Sequence, residues 1–248
     1  RIDRYPAGVT SGRWLPYGTA RRPQIMAHRG ASKAERENTL MAFATAKSMG
    51  SHSVELDVRR CGSGELIVHH NPVLEDGSAL TTHSLSDLPA HIPTLDAALD
   101  ACAGMWVNVE IKNDPTEPDF DPTESITRDT VELLRRRGAP DQWLVSSFRR
   151  ETIDETVRLW SELPTAFLVV DVDDAGALAK DLVAAGHRAL HPYVKTLTRD
   201  TVEGMHAHGL AVNTWTCDDP ARMAELIEWG IAGICTNVPD VALKIAAN

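Results

Sequence analysis

The most informative segment of this 248-residue chain reads Ser53-Val54-Glu55-Leu56-Asp57-Val58-Arg59. Its apolar and polar residues alternate with the period of a β-strand, which places Glu55 and Asp57 on one face with their carboxylates close together. Two ionised carboxylates repel each other, and burying them without a partner is costly. A hard divalent cation such as Mg²⁺ or Ca²⁺ removes both penalties because it prefers oxygen ligands. A solvated acidic face on a surface strand is the alternative that these residues alone leave open.

Strand-like and helix-like segments alternate along the rest of the chain. The predicted strands cover residues 24–27, 53–59, 65–70, 106–112, 143–147, 165–170, 189–191, 210–216 and 233–236. The predicted helices cover residues 38–49, 123–137, 150–161, 174–185, 198–208 and 219–228, with others beginning near 93–95 and 239. About eight such repeats in a chain of this length predict an α/β fold, the closed (β/α)8 TIM-type barrel.

Further features refine this prediction. The glycines of Gly62-Ser63-Gly64 predict a turn and a small hairpin and loop insertion after the second strand, with residues 71–92 as a loop or small lid. Residues 1–22 are rich in Arg, Pro and Gly and are expected to form an N-terminal extension along the outside or bottom of a single barrel domain, 23–248. An open doubly wound sheet is the alternative fold. It would be expected to carry a glycine-rich phosphate-binding turn after the first strand, where this chain has His28-Arg29-Gly30.

Composition limits the classes of partner. Lys and Arg number 25 against 35 Asp and Glu, a net charge of −10, which argues against nucleic acid or an anionic membrane surface as the main partner. A small anionic substrate remains compatible, because local cations set the potential of a pocket. No apolar run approaches the ~18 residues of a membrane span. The oligomeric state stays open.

The cysteines bear on the compartment. There are four, without CxxC or zinc-ligand spacing, which favours reduced and buried thiols and a cytoplasmic location. Two disulfides in a secreted form are the alternative. Because the chain begins at Arg1, a removed leader also stays open.

Polar residues collect where the predicted strands end, which is where barrel enzymes place their functional groups. On the first three barrel strands and the hairpin these residues are His28, Arg29, Glu55, Asp57, His70, Asn108, Glu110 and Lys112, and on later strands they are Ser147 with Phe148, His191, and Asn213 with Trp215. A barrel interior with three carboxylates, a lysine and histidines would be badly destabilised as a plain core. A metal site lined by groups that transfer protons accounts for all of them, so the sequence now favours a site over a solvated acidic strand.

The same residues resemble a known family. The motifs that carry the resemblance are His28-Arg29-Gly30, Glu37-Asn38-Thr39, Glu55-Leu56-Asp57, His70, Pro93-Thr94-Leu95, Glu110-Ile111-Lys112 and Trp215-Thr216. In this order they are similar to the motifs of the glycerophosphodiester phosphodiesterases, which have a phospholipase-C-like phosphodiesterase barrel. The match runs from about residue 23 to the segment that ends at Pro239.

The resemblance implies an enzyme that uses one divalent metal ion, Mg²⁺ or Ca²⁺, to hydrolyse a glycerophosphodiester to sn-glycerol 3-phosphate and an alcohol. It implies the following roles: Glu55, Asp57 and Glu110 as metal ligands, His28 and His70 as the acid/base pair, Arg29 and Lys112 as phosphate contacts, and Asn38 as a helper at the metal or phosphate.

Several alternatives stay open. Trp215 either contacts the glycerol or alcohol group or belongs to the core, and Lys112 either contacts phosphate or orients Glu110. Two other functions are a lysophospholipase D-like phosphodiesterase and a barrel that binds phosphodiesters without turning them over. The choice between base and acid for His28 and His70 is also open.

Overall fold

The computed structural model describes residues 12–20 and 22–247. Its β-strands are β1 (Gln24–His28), β2 (Ser53–Arg60), β3 (Leu66–Val68), β4 (Trp106–Ile111), β5 (Trp143–Ser147), β6 (Thr165–Val169), β7 (Ala189–Pro192), β8 (Ala211–Thr214) and β9 (Gly233–Thr236). Its α-helices are α1 (Leu40–Met49), α2 (Leu95–Ala101), α3 (Ser125–Arg137), α4 (Arg150–Leu159), α5 (Ala175–Ala184), α6 (Arg199–His206), α7 (Pro220–Glu228) and α8 (Pro239–Ala247).

The parallel strands close into a barrel. The order around it is β1-β2-β4-β5-β6-β7-β8-β9, and β9 returns to pair with β1. The pairing of His28 with Glu55 joins β1 to β2, while β3 runs antiparallel to the end of β2 as the predicted hairpin. The predicted (β/α)8 barrel is therefore confirmed, and the doubly wound alternative is wrong.

Alternation along β2 separates two environments. Val54, Leu56 and Val58 face outward and pack in one apolar cluster with residues of α1 and α2. The intervening residues, Glu55 among them, face the barrel interior and are buried. The helices therefore rest on the apolar face of the strand, and the polar face is left to line the barrel.

The lower barrel interior is apolar. Met26, Trp106 and Leu144 fill it together with small residues, and Trp14 from the N-terminal segment joins the same cluster. The backbone N–H of Trp14 donates to the Asp141 carbonyl at 2.7 Å, which holds this segment near the start of β5. Residues 1–11 and 21 of the predicted extension lie outside the described residues.

Some predicted boundaries are wrong. The first helix begins at Leu40 rather than residue 38, because Asn38 adopts a left-handed conformation (φ 55°) and Thr39 caps the helix by accepting from Ala42 N. The predicted 65–70 strand is limited to β3, so His70 lies beyond its end.

Other predictions agree with the structure. The 71–92 insertion holds two short 3₁₀ turns, at Leu80–Thr82 and Leu85–Asp87. The four cysteines are free and buried. Every helix in residues 12–20 and 22–247 is too short or too polar to cross a lipid bilayer.

Candidate active site

Three carboxylates meet at the C-terminal end of the barrel. Because β2 and β4 pair with Asp57 opposite Glu110, the i, i+2 spacing on β2 brings Glu55 to the same patch. One ligand oxygen from each of the three residues lies within 4.8 Å of the others, and all three residues are buried. This is the spacing at which carboxylates share a cation.

The chemistry of this triad fits a hard cation. Glu55 Oε1 and Asp57 Oδ1 are buried and accept no hydrogen bond from the described residues. Burial raises the pKa of Glu55 well above its ordinary value, and the charges of Asp57 and Glu110 add to the effect. Burial likewise raises the pKa of Glu110, against the opposing effect of Lys112. An all-oxygen set with unsatisfied acceptors could hold Mg²⁺ or Ca²⁺.

Two cations lie against the carboxylates. Arg29 Nε lies 3.2 Å from Asp57 Oδ2, and Lys112 Nζ lies 2.6 Å from Glu110 Oε1. Lys112 Nζ is also 3.2 Å from Asp57 Oδ1, an ion-pair distance without hydrogen-bond geometry. Burial opposes ionisation of Asp57, but Lys112 and Arg29 outweigh it and hold the pKa of Asp57 well below its usual range. Lys112 thus orients two carboxylates, whichever role it has toward substrate.

The turn after β1 is wound tightly around these groups. Arg29 has φ 56°, and its backbone N–H donates to Glu55 Oε2 at 2.9 Å. Asn38, also left-handed, donates from its backbone N–H to the Arg29 carbonyl at 2.9 Å and from Nδ2 to Asp57 Oδ2 at 2.7 Å. Left-handed backbone at non-glycine residues is costly and persists where surrounding contacts determine it, often at functional sites. Here those contacts aim two polar residues at the carboxylates.

Two histidines flank the triad. His28 Nε2 lies 3.9 Å from Glu55 Oε2, and His28 Nδ1 lies 2.7 Å from Asn237 Oδ1. His70 Nδ1 lies 2.8 Å from Asn71 Oδ1. Burial lowers the pKa of both histidines below the ordinary value. His70 lines the same cavity as His28, whereas His69 lines a neighbouring pocket.

A cavity of about 220 Å³ opens above the triad. Its lining comprises Met26, His28, Arg29, Glu55, His70, Asn108, Glu110, Lys112, Phe148, Leu168, His191, Asn213, Trp215 and Cys235. Phe148 and Trp215 meet edge to face with ring centroids 5.3 Å apart, so one wall is aromatic. His191 is buried and bonded to Asn213 at 2.9 Å, and burial lowers its pKa to about 3. His191 is therefore a neutral hydrogen-bonding group rather than a proton carrier at neutral pH.

The structure brings every candidate site residue of the sequence to this cavity or to its carboxylates. Asp57 is the one carboxylate of the triad that does not line the cavity, Asn38 donates a hydrogen bond to it, and the other seven candidates line the cavity. Sequence reasoning singled out Phe148 at the end of its strand but missed Asn237 as a neighbour of the site. Asn237 directly follows β9, so the strand-end rule applied to this last strand would have found it.

Comparison with known proteins agrees with this geometry. The model of the glycerophosphoryl diester phosphodiesterase family matches residues 28–241. A glycerophosphodiester phosphodiesterase of Bacillus subtilis is 28% identical over 253 residues, covering 89% of this chain and 85% of the relative. A glycerophosphodiester phosphodiesterase of Caldanaerobacter subterraneus is 25% identical and covers 89% of this chain and 96% of the relative.

Solved structures share the fold. An Oleispira antarctica phosphodiesterase, solved in complex with the product sn-glycerol 3-phosphate, superposes with a TM-score of 0.83 at 24% identity, covering 92% of this chain and 98% of the other. A glycerophosphodiester phosphodiesterase of Thermotoga maritima gives 0.77 at 22% identity, with coverage of 91% and 99%. Since the family model spans most of the barrel, this chain belongs to the glycerophosphoryl diester phosphodiesterase family.

Proposed function

We propose that this chain hydrolyses glycerophosphodiesters to sn-glycerol 3-phosphate and an alcohol in a reaction that depends on Mg²⁺ or Ca²⁺. The observation that carries the proposal is the buried triad of Glu55, Asp57 and Glu110 beside two histidines in one cavity. The names of the relatives support the substrate class. A site that only bound a diester would have no need of two proton-transfer groups beside a metal triad.

The charged residues have separate roles in binding a phosphodiester anion. Glu55, Asp57 and Glu110 would hold the divalent cation, which would supply charge neutralisation and Lewis-acid polarisation of the phosphoryl oxygens. Arg29 and Lys112 line the same cavity and contribute positive charge toward the non-bridging oxygens. Asn38 keeps Asp57 in place through the 2.7 Å hydrogen bond to its Oδ2.

The histidines move protons. His28 and His70 face the same cavity. The reaction requires two such groups, because one accepts the proton of the attacking O–H and the other protonates the departing alkoxide. In the route that fits a glycerol diester, a hydroxyl beside the phosphate attacks first and gives a cyclic phosphate. Water then opens that ring. The aromatic wall of Phe148 and Trp215 lines the cavity and offers an apolar surface for the carbon skeleton of the substrate.

The test measures release of sn-glycerol 3-phosphate from glycerophosphocholine and glycerophosphoethanolamine. We expect activity that EDTA abolishes and that Mg²⁺ or Ca²⁺ restores. Glu110→Gln should lower turnover by at least about 10²-fold, the scale on which a lost charge-stabilising group acts. Glu132→Gln, on the exposed face of α3, makes the same charge change far from the cavity and serves as the matched control.

Other outcomes separate the alternatives. Turnover of lysophosphatidylcholine without turnover of either glycerophosphodiester would favour the lysophospholipase D-like function. Thermal stabilisation by metal without turnover of any diester would favour the non-catalytic binder. The cyclic route alone fails if bis(p-nitrophenyl) phosphate, which lacks a neighbouring hydroxyl, turns over as fast as a glycerol diester.

A further inference from the structure

A hydrogen-bond network lies behind His28, on the side away from the cavity. Asp218 Oδ1 accepts from the backbone N–H of Asn237 at 2.8 Å and from Thr236 Oγ1 at 2.9 Å. Asp218 Oδ2 accepts from Asn237 Nδ2 at 2.7 Å. These hydrogen bonds join the loop after β8 to the end of β9. Asp218 binds both the backbone N–H and the side-chain amide of Asn237.

This network fixes which way the Asn237 amide points. A carboxylate only accepts hydrogen bonds, so the atom that faces Asp218 Oδ2 is the NH₂ group of Asn237. Its Oδ1 therefore faces His28, and the Ser32 hydroxyl donates to the same oxygen at 2.8 Å. The positions of the oxygen and the nitrogen of the Asn237 amide are thus assigned from the hydrogen-bonding partners of each atom.

The amide in turn fixes the tautomer of His28. A carbonyl oxygen has no hydrogen to give, so His28 Nδ1, 2.7 Å from Asn237 Oδ1, carries the proton. In a neutral imidazole the other nitrogen then holds a free lone pair. That nitrogen, Nε2, is the one on the side of Glu55 and the cavity.

The histidine across the cavity lacks such an anchor. His70 Nδ1 faces Asn71 Oδ1, but Asn71 is exposed, and no described residue holds its NH₂ group. Either orientation of that amide is compatible with its surroundings, and so is either tautomer of His70. The two histidines therefore differ because the amide beside His28 is held by Asp218, whereas the amide beside His70 is free to turn.

We propose that Asp218 and Asn237 are positioning residues that hold His28 as the Nδ1–H tautomer and so make it the base of the proposed hydrolysis. The proton of the attacking O–H moves to His28 Nε2 as the new P–O bond forms. The P–O bond to the alcohol breaks, and the alcohol oxygen takes its proton from His70. The assignment rests on the proposed function, while the tautomer stands on the hydrogen bonds alone.

The decisive variant is Asp218→Asn. The new amide keeps an oxygen for Thr236 and for the Asn237 N–H but turns an NH₂ group toward the NH₂ of Asn237. Two donors repel, so the Asn237 amide turns over and presents its NH₂ to His28 Nδ1. The ring must then carry its proton on Nε2, where it cannot act as a base.

We expect Asp218→Asn to lower kcat on the order of 10²-fold with KM changed less than about threefold. General acid–base catalysis supplies about 10²–10⁴-fold, and the low end applies because Asp218 is exposed and water competes for its partners. In serine proteases the equivalent change, a carboxylate to an amide behind the histidine, acts through the same wrong tautomer.

A rescue variant tests the donor pattern itself. Combining Asn237→Asp with Asp218→Asn reverses the pair, so that position 237 accepts from His28 Nδ1 and position 218 donates to position 237. We expect kcat to return to within about tenfold of the native value. Asp219→Asn is the matched control, since Asp219 is the exposed neighbour that caps α7 through Ala221 N, and Asn caps equally well.

The tautomer is read directly from ¹⁵N chemical shifts of the histidine ring at about pH 8, above the ~6.5 pKa of free histidine. The His28 signal, assigned by its loss in His28→Gln, should show a protonated Nδ1 in the native protein and a protonated Nε2 in Asp218→Asn. A native ring protonated on Nε2 overturns the proposal, as does full activity of Asp218→Asn or absence of rescue. If no diester is turned over, the proposed function fails while the spectrum still decides the tautomer.

Discussion

The buried His191 allows a quantitative prediction about stability and pH. Its side chain is 3% exposed, and its only side-chain hydrogen bond within the described residues joins it to Asn213. Burial lowers its pKa from 6.5 to about 3. The unfolded chain therefore binds a proton more readily than the folded one, and stability falls as the pH drops below about 6.5 toward 3.

The magnitude follows from these two pKa values. At pH 7 the unfolded-state histidine is mostly neutral, so the effect is small. At pH 5 it is protonated in the unfolded chain and neutral in the folded one, which costs about 2 kcal/mol of stability relative to pH 7 at ~1.36 kcal/mol per pKa unit. For a chain of this size that loss lowers Tm by roughly 4–8 °C.

The perturbation is His191→Gln, which offers Asn213 an acceptor and cannot titrate. We expect its unfolding free energy to fall about 2 kcal/mol less than that of the native protein between pH 7 and pH 5. The assay is urea unfolding of both proteins at both pH values in EDTA, with an unchanged m-value as the control for an unchanged fold. The quantity compared is the change in unfolding free energy between pH 7 and pH 5 within each protein, so a destabilisation that the substitution causes at both pH values cancels. An equal change in the two proteins would refute the reasoning, because it would mean that His191 is protonated in the folded state at pH 5.

Three further predictions concern the triad, the barrel floor and the turn after β1. A divalent cation at a hundredfold its Kd should stabilise the native protein by about 2.7 kcal/mol, or roughly 5–11 °C in Tm, and Glu55→Gln should abolish this shift in a thermal melt. Trp14→Ala should cost about 3–5 kcal/mol in urea unfolding with kcat unchanged, since Trp14 packs in the apolar lower barrel; a loss below 1 kcal/mol would contradict that packing. Gly30→Ala should destabilise by about 1–3 kcal/mol and lower kcat/KM, because Gly30 has φ 82° and its Cβ would lie 2.6 Å from that of Ala42. Native behaviour of this variant would show that the turn relaxes.

The carboxylate triad was predictable because it depends on local alternation and on one neighbouring pair of strands. Period-2 patterning put Glu55 and Asp57 on one face, and the strand that carries Glu110 pairs with theirs in the barrel. The apolar residues between them face the helices, so pattern and environment agree. The same alternation placed Lys112 beside Glu110 but left its partner undecided. Its position between Glu110 and Asp57 emerged only from the three-dimensional register.

The turn after β1 and the network behind His28 were not predictable in this way. Arg29 and Asn38 adopt a left-handed backbone conformation, which glycine adopts far more readily than they do. Long-range hydrogen bonds to Glu55 and Asp57 hold the two residues in this conformation. His28 and Asn237 are 209 positions apart in the chain and meet because β9 closes the barrel against β1. No local pattern encodes such a contact, although the strand-end rule marks Asn237 as a candidate once the fold is known.

The charges of the site relate the carboxylate triad to the uncharged amide that orients His28. With all three carboxylates ionised, the triad and the two cations that contact it, Arg29 and Lys112, carry one negative charge in excess, and the more exposed Glu37 also pairs with Arg29 at 3.0 Å. A divalent cation would bring the charge of the triad, Arg29 and Lys112 to plus one, which is opposite in sign to a phosphodiester anion. In the proposed mechanism, His28 accepts a proton beside these charges, and its orientation is set without a further charge in contact with the ring. An uncharged amide at Asn237 orients the ring, and the charge of Asp218 stays one residue further from the cavity. Under the proposed mechanism, this arrangement orients a proton acceptor next to the carboxylate triad without placing another carboxylate against the ring of His28.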